Sequence, residues 1–346
     1  MLTEISERSF ILNSCQNYYQ RSCRVFYRRK ILLALIESFG GLLLKTDCQK
    51  LLFLFCLRRG KNYYDFFPHK YGNFSLVLSQ DRDRLANLGL LTSHSDFQLK
   101  GNQSYLDQIE EEDCRVLRAL ATEVGDLRGE ELIRKVYLEF PHYVSRSQIA
   151  TQVLRPSEYE QISLVWNNAK FPCLFTIGYE GMTIDAYLNV LVSNNIAVLV
   201  DVRKNPISRK YGFSKTRLSD AVRIAGIAYM HIPDLGIPST FRQDLNSKAA
   251  YQDLFNYYSS QILPTHKAAI ETLKAVVSDQ ERVAITCFEA DYHFCHRHRL
   301  TEYLEKDPDF NTPIVHLSRN CLCSANSSNK SLSHGLWDDY RLYSII

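Results

Sequence analysis

The sequence predicts an α/β protein in which a Rossmann-like parallel sheet domain follows a mostly helical, winged-helix-like domain. The sheet is indicated by two apolar runs. Cys173–Ile177 ends at Gly178, and Ala197–Val202 consists almost entirely of β-branched residues and leucine. Such runs are typical of strands buried on both faces of a parallel sheet, which are joined through crossover helices. The helical domain is indicated by helical periodicity before residue 160.

A helix is predicted between these two strands. Its apolar residues recur with helical spacing at Ile184, Tyr187, Leu188, Leu191 and Val192. This spacing places them on one face. Thr183 precedes the helix and is a favourable N-cap, because its hydroxyl can accept from amides of the first turn.

Further elements are predicted along the C-terminal half. The expected strands are Ile227–Ile232, Val283–Cys287 and Pro313–Leu317, and the expected helices are a helix capped by Ser214 and ended by Gly226, Ala249–Tyr258, Pro264–Val277 and Cys295–Leu304. Strands that alternate with helices in this way favour a parallel sheet.

Three predicted helices, Arg28–Phe39, Asp47–Leu57 and Ser75–Leu88, precede a possible hairpin formed by 89–91 and 97–99. This is the order of a winged helix. The phrase FPHKYGNFS resembles winged-helix-like modules that accompany bacterial mobile-element, toxin–antitoxin and defence proteins, over about residues 28–100. The resemblance implies a role in bacterial defence, which the sequence itself does not show.

A basic cluster among aromatic residues in this region is typical of a surface that grips phosphates and stacks bases. It comprises Arg58, Arg59, Lys61 and Lys70. DNA or RNA is therefore an expected partner, and the alternative is that the segment serves only packing and solubility. The boundary between the two domains, 1–160 and 170–346, is expected at 155–170.

Composition limits the class of protein. The chain has 346 residues, 45% of them hydrophobic, which is sufficient for packed cores. No apolar run approaches the roughly 20 residues that span a bilayer, and Met1–Asn13 lacks the order of a signal peptide. We therefore expect a cytoplasmic protein with thiol cysteines and no membrane partner. Neither a cofactor nor an oligomeric state is indicated, and Cys321 and Cys323 lack partners at metal-site spacing.

Chemically capable residues follow the predicted strands. They are Gly178, Tyr179 and Glu180 after the first strand, Asp201, Arg203, Ser208 and Arg209 after the second, and His231 at the end of the third. Ligands of open α/β sheets bind at the carboxyl ends of strands. The alternative is that each residue only turns the chain, caps a loop or is solvated.

A second cluster follows the fourth strand in the stretch CFEADYHFCHR, with Cys287, Glu289, Cys295, His296 and Arg297. The positive end of the helix is expected to lower the pKa of Cys295. Three interpretations stay open. Cys287 or Cys295 is a nucleophile, the two cysteines bind a metal with His293 or His296, or both are structural beside a polar pocket. Because C-x₇-C-H is not a standard zinc spacing, we assign no metal ligand.

Four blocks together resemble the bacterial DUF488 family. They are TIGYEG, LVDVRKNPISRKYGFS, GIAYMHIPDLG and CFEADYHFCHR, in the order of that family, within about residues 173–317. The resemblance implies an α/β domain and supports the site without supplying a reaction. The motif positions that it implies are Gly178, Tyr179, Glu180, Asp201, Arg203, Pro206, Ser208, Arg209, His231, Leu235, Gly236, Cys287, Glu289, Cys295, His296 and Arg297.

These observations favour a hydrolase or transferase that acts on a nucleotide or nucleic acid. Arginines bind phosphate in bidentate fashion, and carboxylates serve as general acids or bases. The predicted catalytic residues are Glu180, Asp201, Cys287, Glu289 and His296. The predicted substrate-binding residues are Gly178, Tyr179, Arg203, Ser208, Arg209, His231 and Arg297. No P-loop and no GxGxxG is present, which disfavours Walker-type NTP hydrolysis.

Two alternative functions remain. The first is thiol chemistry, because LVDVR resembles a segment of sulfurtransferases of the rhodanese kind. Against it, the loop after Cys287 lacks the short glycine-rich cradle that a persulfide needs. The other alternative is that the chain is a nucleic-acid-binding protein without catalytic activity. The enzyme hypothesis makes a geometric prediction: Glu180, Arg203, Arg209 and Glu289 surround one cavity, Arg203 pairs with a carboxylate or an anion, and the strand before Glu180 neighbours the strand before Arg203.

Overall fold

A computed structural model describes residues 25–92, 96–166, 171–241, 247–280 and 282–319. By packing, these residues form two compact units. The first contains the described residues up to Tyr63 together with Ser79–Leu127. The second contains Tyr64–Leu78 and the described residues from Arg128 onward. The predicted tail, including Cys321 and Cys323, lies outside the described residues.

The elements up to residue 163 are mainly helical. In chain order they are α1 (Tyr27–Ser38), β1 (Leu42–Leu43), α2 (Lys45–Arg59), β2 (Phe67–His69), β3 (Gly72–Phe74), α3 (Leu76–Asn87), β4 (Phe97–Gln98), α4 (Glu111–Val124), α5 (Gly129–Glu139), α6 (Ala150–Val153) and α7 (Pro156–Ser163). β1 pairs with β4, and β2 pairs with β3, both in antiparallel fashion. The predicted hairpin is reduced to a bridge between Leu91 and Leu99.

The elements of the α/β region alternate as predicted. They are β5 (Cys173–Gly178), α8 (Ile184–Ser193), β6 (Val198–Asp201), α9 (Lys215–Ile224), β7 (Ala228–His231), α10 (Lys248–Tyr257), a π-helical turn (Tyr258–Ile262), α11 (Leu263–Thr265), α12 (Lys267–Gln280), β8 (Arg282–Cys287), α13 (His296–Glu305) and β9 (Ile314–Leu317). The predicted mixed α/β class with a parallel sheet is thus confirmed.

The division by packing differs from the boundary expected at 155–170. Residues 64–78 belong to the second unit because the carboxylate of Asp185, in α8, holds them. It accepts hydrogen bonds from the Ser75 hydroxyl at 2.6 Å and from the backbone amides of Leu76 and Val77 at 2.8 and 3.1 Å. Phe67 is also buried in the apolar core that contains the inward-facing residues of α8. A change of local pattern cannot reveal such long-range contacts. Separation into two folded pieces stays a prediction for limited proteolysis.

All five strands of the main sheet are parallel, in the order β7-β6-β8-β5-β9. The expectation that β5 and β6 are neighbours is therefore wrong, because β8 pairs with both of them. Gly178 lies beside Cys287, and Asp201 lies beside Thr286. Consequently Cys287 ends the middle strand of the sheet, between the segments that follow β5 and β6.

The sheet has an apolar core on each face. Alternate strand residues face opposite sides, so that Ile177 and Leu199 pack with α8 and α9, whereas Leu174, Val200 and Ile285 pack with α10, α12 and α13. This alternation follows from the two-residue period of a strand. Both faces are covered, as the continuous apolar runs predict.

Local signals at the helix ends are largely confirmed. The Thr183 hydroxyl accepts a hydrogen bond from the Ala186 amide at 3.1 Å, and Gly226 follows α9 with φ of +73°. Ser214 precedes α9 but makes no capping hydrogen bond. Among the described residues, six cysteines are outside any disulfide, and none of the helices combines the length and the apolar character of a membrane span.

Candidate functional site

Asp201 and Arg203 form a buried ion pair at the carboxyl end of β6. The Asp201 carboxylate is fully buried and accepts from Arg203 Nε at 2.8 Å, from Nη2 at 2.6 Å and from the Arg203 amide at 3.1 Å. Nη1 of Arg203 donates to the Tyr179 hydroxyl and to the Phe213 carbonyl, each at 2.8 Å. The predicted pairing of Arg203 with a carboxylate is confirmed.

The neighbouring strand supports this ion pair. The Tyr229 hydroxyl donates to Asp201 at 2.7 Å, and Nε2 of His231 lies 2.9 Å from the Arg203 carbonyl. Burial alone would lower the pKa of the Arg203 guanidinium, but the bonded Asp201 carboxylate raises it above its usual value. Burial and the same carboxylate raise the pKa of Tyr229. Asp201 and Arg203 are thus bound to each other and to the protein.

Two thiols, an imidazole and a carboxylate meet at the end of β8. Nδ1 of His296 lies 3.6 Å from Sγ of Cys287 and 3.8 Å from Sγ of Cys295. The Cys287 thiol donates to Oε2 of Glu289 at 3.3 Å. Both thiols and the imidazole are buried. His293 lies elsewhere, beside Asp291, so His296 is the histidine that joins the cysteines.

Burial dominates the electrostatics of this group. It raises the pKa of Glu289, with the neighbouring Cys287 acting in the same direction. Burial, reinforced by Cys287, also raises the pKa of the Cys295 thiol. The expected lowering at the helix N-terminus is therefore wrong, because loss of hydration outweighs the field of the helix end. A raised pKa favours the protonated carboxyl, which is the form that a general acid requires.

Arg297 and Glu180 fix the loop after β8. The buried Arg297 guanidinium donates to the Glu289 and Ala290 carbonyls, and Oε2 of Glu180 accepts from the Ala290 amide at 3.0 Å. Gly178 permits this approach, because a Cβ there would lie 1.7 Å from the Glu289 carbonyl oxygen. Glu180, Gly178 and Arg297 therefore position the loop through its backbone.

A cavity of about 330 Å³ opens beside these groups. It is lined by Tyr179, Arg203, Lys204, Asn205, Ile207, Ser208, Arg209, Ile237, Cys287, Phe288 and Glu289. The structure thus brings Arg203, Arg209 and Glu289 to one cavity, as predicted, together with Cys287. Glu180 does not line it.

Sequence reasoning missed several lining residues. Lys204, Asn205, Ile207, Ile237 and Phe288 were not predicted, although three of them (Lys204, Ile207 and Phe288) adjoin predicted site residues in the chain. Gly236, before Ile237, has a structural reason: a Cβ there would lie 2.2 Å from the Lys204 amide nitrogen. Adjacency to a motif residue was the available signal for Lys204 and Phe288.

Three of the four residues of the predicted nucleic-acid-binding cluster are paired with carboxylates. Within the first unit, Arg58 binds Glu123, Arg59 binds Asp113, and Lys61 binds Glu110. Lys70 belongs to the second unit and is exposed, after β2. The charges of the first three residues are therefore balanced locally, and their contact with nucleic acid stays a prediction.

Comparison with known proteins agrees with the sequence resemblance. The family model described as domain of unknown function DUF488 matches residues 183–304, which run from the cap of α8 to α13. Neither the curated proteins nor the solved structures that were compared match the chain.

Proposed function

We propose that this chain, which belongs to the DUF488 family, is an enzyme that acts on a nucleotide or on a nucleotide unit of a nucleic acid. The observation that supports this most strongly is the composition of the cavity. One space at the carboxyl ends of the parallel strands is lined by an exposed aromatic residue, a buried reactive group and a basic residue that has no carboxylate partner among the described residues. Ligands bind at this edge in open α/β sheets.

The phosphate end of the proposed substrate is assigned to Arg209. Its side chain is exposed and lines the cavity, and it has no hydrogen bond or ion pair to any residue that the structure describes. Lys204 is less available because its Nζ donates to Asp234 at 3.0 Å. Arg203 is bound to Asp201. Among the described residues that line the cavity, Arg209 is therefore the cation best placed to bind a phosphate, and Ser208 lines the same cavity.

The base end is assigned to Phe288. Phe288 is 41% exposed, although it follows directly on the buried Cys287, and Ile207, which also lines the cavity, is 86% exposed. An exposed aromatic residue in the same groove as a basic residue is typical of sites on which nucleic-acid bases stack. The cavity volume lies at the lower end of the range of about 300–1,000 Å³ for small-molecule sites. It therefore suits one nucleotide.

The chemical end of the site is formed by Cys287 and Glu289. Both line the cavity with Arg209, so a phosphate held by Arg209 lies in the same space as the thiol and the carboxyl. A carboxyl next to a bound phosphate ester can protonate a leaving group or activate an attacking hydroxyl. We therefore favour a hydrolase or transferase.

Ligand titration with matched variants tests this proposal. Inorganic phosphate and adenosine 5′-monophosphate are titrated by calorimetry into the wild-type chain and into the Arg209→Gln and Phe288→Ala variants. Loss of a charge-assisted hydrogen bond, worth about 1.5–3 kcal/mol, predicts that Arg209→Gln weakens binding of both ligands by roughly 10-fold or more. Loss of stacking predicts that Phe288→Ala weakens binding of the nucleotide alone, by about 5- to 100-fold.

The controls for this titration are Arg217→Gln, on the exposed side of α9, and Phe294→Ala, whose ring is 50% exposed and lines a separate hollow. Both are expected to bind like the wild type. Equal affinities for Arg209→Gln and Arg217→Gln, or no binding by the wild type, would contradict the proposed function.

Thiol chemistry is a second candidate function, and the contact between Cys287 and His296 favours it. Nδ1 of His296 lies 3.6 Å from Sγ of Cys287, and Nε2 lies 3.3 Å from the Val202 carbonyl oxygen, so the ring is oriented by a third group. In this arrangement Nδ1 accepts the thiol proton and the sulfur bonds to the electrophilic atom of the substrate. The bond from that atom to its leaving group breaks, and the imidazolium returns the proton to the leaving group. Loss of phosphate binding in Arg209→Gln would not test this candidate function. Alkylation of Cys287 would test it, because it should abolish any activity that depends on the thiol.

A further inference from the structure

We propose that Cys287, Cys295 and His296 form a zinc site whose open position faces the cavity. The three ligand atoms lie within 4.8 Å of one another, and all three side chains are buried. This inference goes beyond the proposed function, because it does not depend on what the cavity binds.

The orientation of the His296 ring supports the assignment. Its Nε2 faces the Val202 carbonyl at 3.3 Å, and a carbonyl oxygen only accepts, so Nε2 carries the hydrogen. In the neutral ring, Nδ1 then presents a lone pair to the two sulfur atoms. Histidines that bind metals almost always donate their other N–H to a carbonyl, carboxylate or water in this way. The Val202 carbonyl is therefore the expected partner of a metal-binding His296.

The distances from the imidazole agree with tetrahedral geometry. Zinc binds cysteine sulfur at about 2.3 Å and histidine nitrogen at about 2.0–2.1 Å, which places a sulfur and a nitrogen about 3.6 Å apart at the tetrahedral angle. The observed separations from Nδ1 to the two sulfurs are 3.6 and 3.8 Å. The two sulfurs, which lie within 4.8 Å of each other, must stand about 3.8 Å apart to complete the site. Two thiolates and one imidazole favour zinc over harder cations such as magnesium or calcium.

The backbone holds the ligands in place. Cys287 ends β8, which pairs with strands on both sides, and Cys295 and His296 are the cap and first residue of α13. Cys287 and His296 lie nine positions apart in the chain. Arg297 and Glu180 hold the loop between them through hydrogen bonds to its backbone. Sequence spacing alone gave no zinc motif, because this loop is longer than the usual separation of paired ligands.

The fourth position faces the cavity. Cys287 lines the cavity, and Glu289, which also lines it, places Oε2 3.3 Å from Sγ of Cys287. Cys295 and His296 are buried and are not among the residues that line it. Three protein ligands and one position open to water or substrate are typical of catalytic zinc, whereas structural zinc has four protein ligands. A zinc ion here would polarise a phosphoryl oxygen or ionise a bound water, and Glu289 is placed to exchange its proton.

Metal analysis of the full chain tests the site. The chain is produced without a polyhistidine tag in zinc-containing medium, and zinc is measured by mass spectrometry. About one zinc ion per chain is expected for the wild type and for Cys114→Ser, a control at a half-exposed cysteine outside the site. Less than a fifth of that is expected for Cys295→Ser and His296→Ala. Circular dichroism shows which variants fold.

Cobalt substitution gives a readout that is independent of variant folding. Tetrahedral cobalt bound to cysteine is expected to show a thiolate charge-transfer band in the near ultraviolet and intense visible bands in the wild type. A folded wild-type chain without zinc and without these bands would overturn the proposal, as would a disulfide between Cys287 and Cys295 in the protein prepared under reducing conditions. Because zinc content and phosphate binding are measured separately, either proposal can fail alone.

Discussion

Replacing Asp201 with alanine is expected to lower the free energy of unfolding by about 3–5 kcal/mol, because the change leaves a buried guanidinium without its counter-charge. The carboxylate accepts three hydrogen bonds from Arg203 and one from Tyr229, and its side chain is fully buried. The loss is a large share of the total stability of a domain, about 5–15 kcal/mol. Denaturant unfolding followed by circular dichroism measures it.

Asp220→Ala is the matched control for this prediction. Asp220 pairs with Arg223 on α9, but their side chains are 52% and 72% exposed, so removal of the pair should cost only about 0–1 kcal/mol. The double variant Asp201→Ala/Arg203→Met should regain part of the loss, since it removes the unpaired charge as well. If Asp201→Ala and Asp220→Ala unfold at the same denaturant concentration, the buried ion pair does not have the structural role assigned to it.

Gly178→Ala is expected to disrupt the site while most of the sheet remains. The added Cβ would lie 1.7 Å from the Glu289 carbonyl oxygen and 2.5 Å from the carbonyl carbon. Backbone held by the Arg297 guanidinium cannot yield as a flexible side chain can, so the loop that carries Glu289 must shift. Overpacking typically costs about 1–3 kcal/mol, and we expect at least that cost in unfolding free energy. Zinc content and phosphate affinity should fall at least 10-fold.

Gly181→Ala separates this steric effect from the loss of glycine flexibility. Gly181 has φ of +75°, yet a Cβ there meets no atom within 4 Å. Its substitution should therefore cost about 1–2 kcal/mol of backbone strain and leave phosphate affinity unchanged. Wild-type phosphate affinity and zinc content in Gly178→Ala would show that the close approach of the two loops is not needed for the site.

The strands and most helix ends were predictable because their signals are local. Strands that are buried on both faces require continuous apolar runs such as 198–202. Thr183 caps α8 because its hydroxyl accepts a hydrogen bond from an amide only three residues later in the chain. The order of the strands was not predictable in this way. The insertion of β8 between β5 and β6 depends on packing over about a hundred residues, and it is this insertion that places Cys287 at the centre of the site.

The different contacts of three arginines could not be predicted from the local sequence either. Arg203, Arg209 and Arg297 follow strands or open a helix, and their sequence contexts are equally basic and polar. Their partners distinguish them. Arg203 is bound to Asp201, Arg297 is bound to loop carbonyls, and Arg209 is exposed at the cavity. The sequence therefore predicted that residues after different strands line one cavity, whereas only the structure shows which of the arginines are bound within the protein.

The most direct test of the proposal that the cavity binds a nucleotide is a crystal structure of the full chain soaked in tungstate, a phosphate analogue located by its anomalous scattering. We predict a tungsten peak inside the cavity, with an oxygen about 3 Å from the Arg209 guanidinium and the anion in the same space as Cys287 and Phe288. The peak should vanish in Arg209→Gln. A cavity without tungsten in the wild type, or a peak there that persists in Arg209→Gln, would contradict the account.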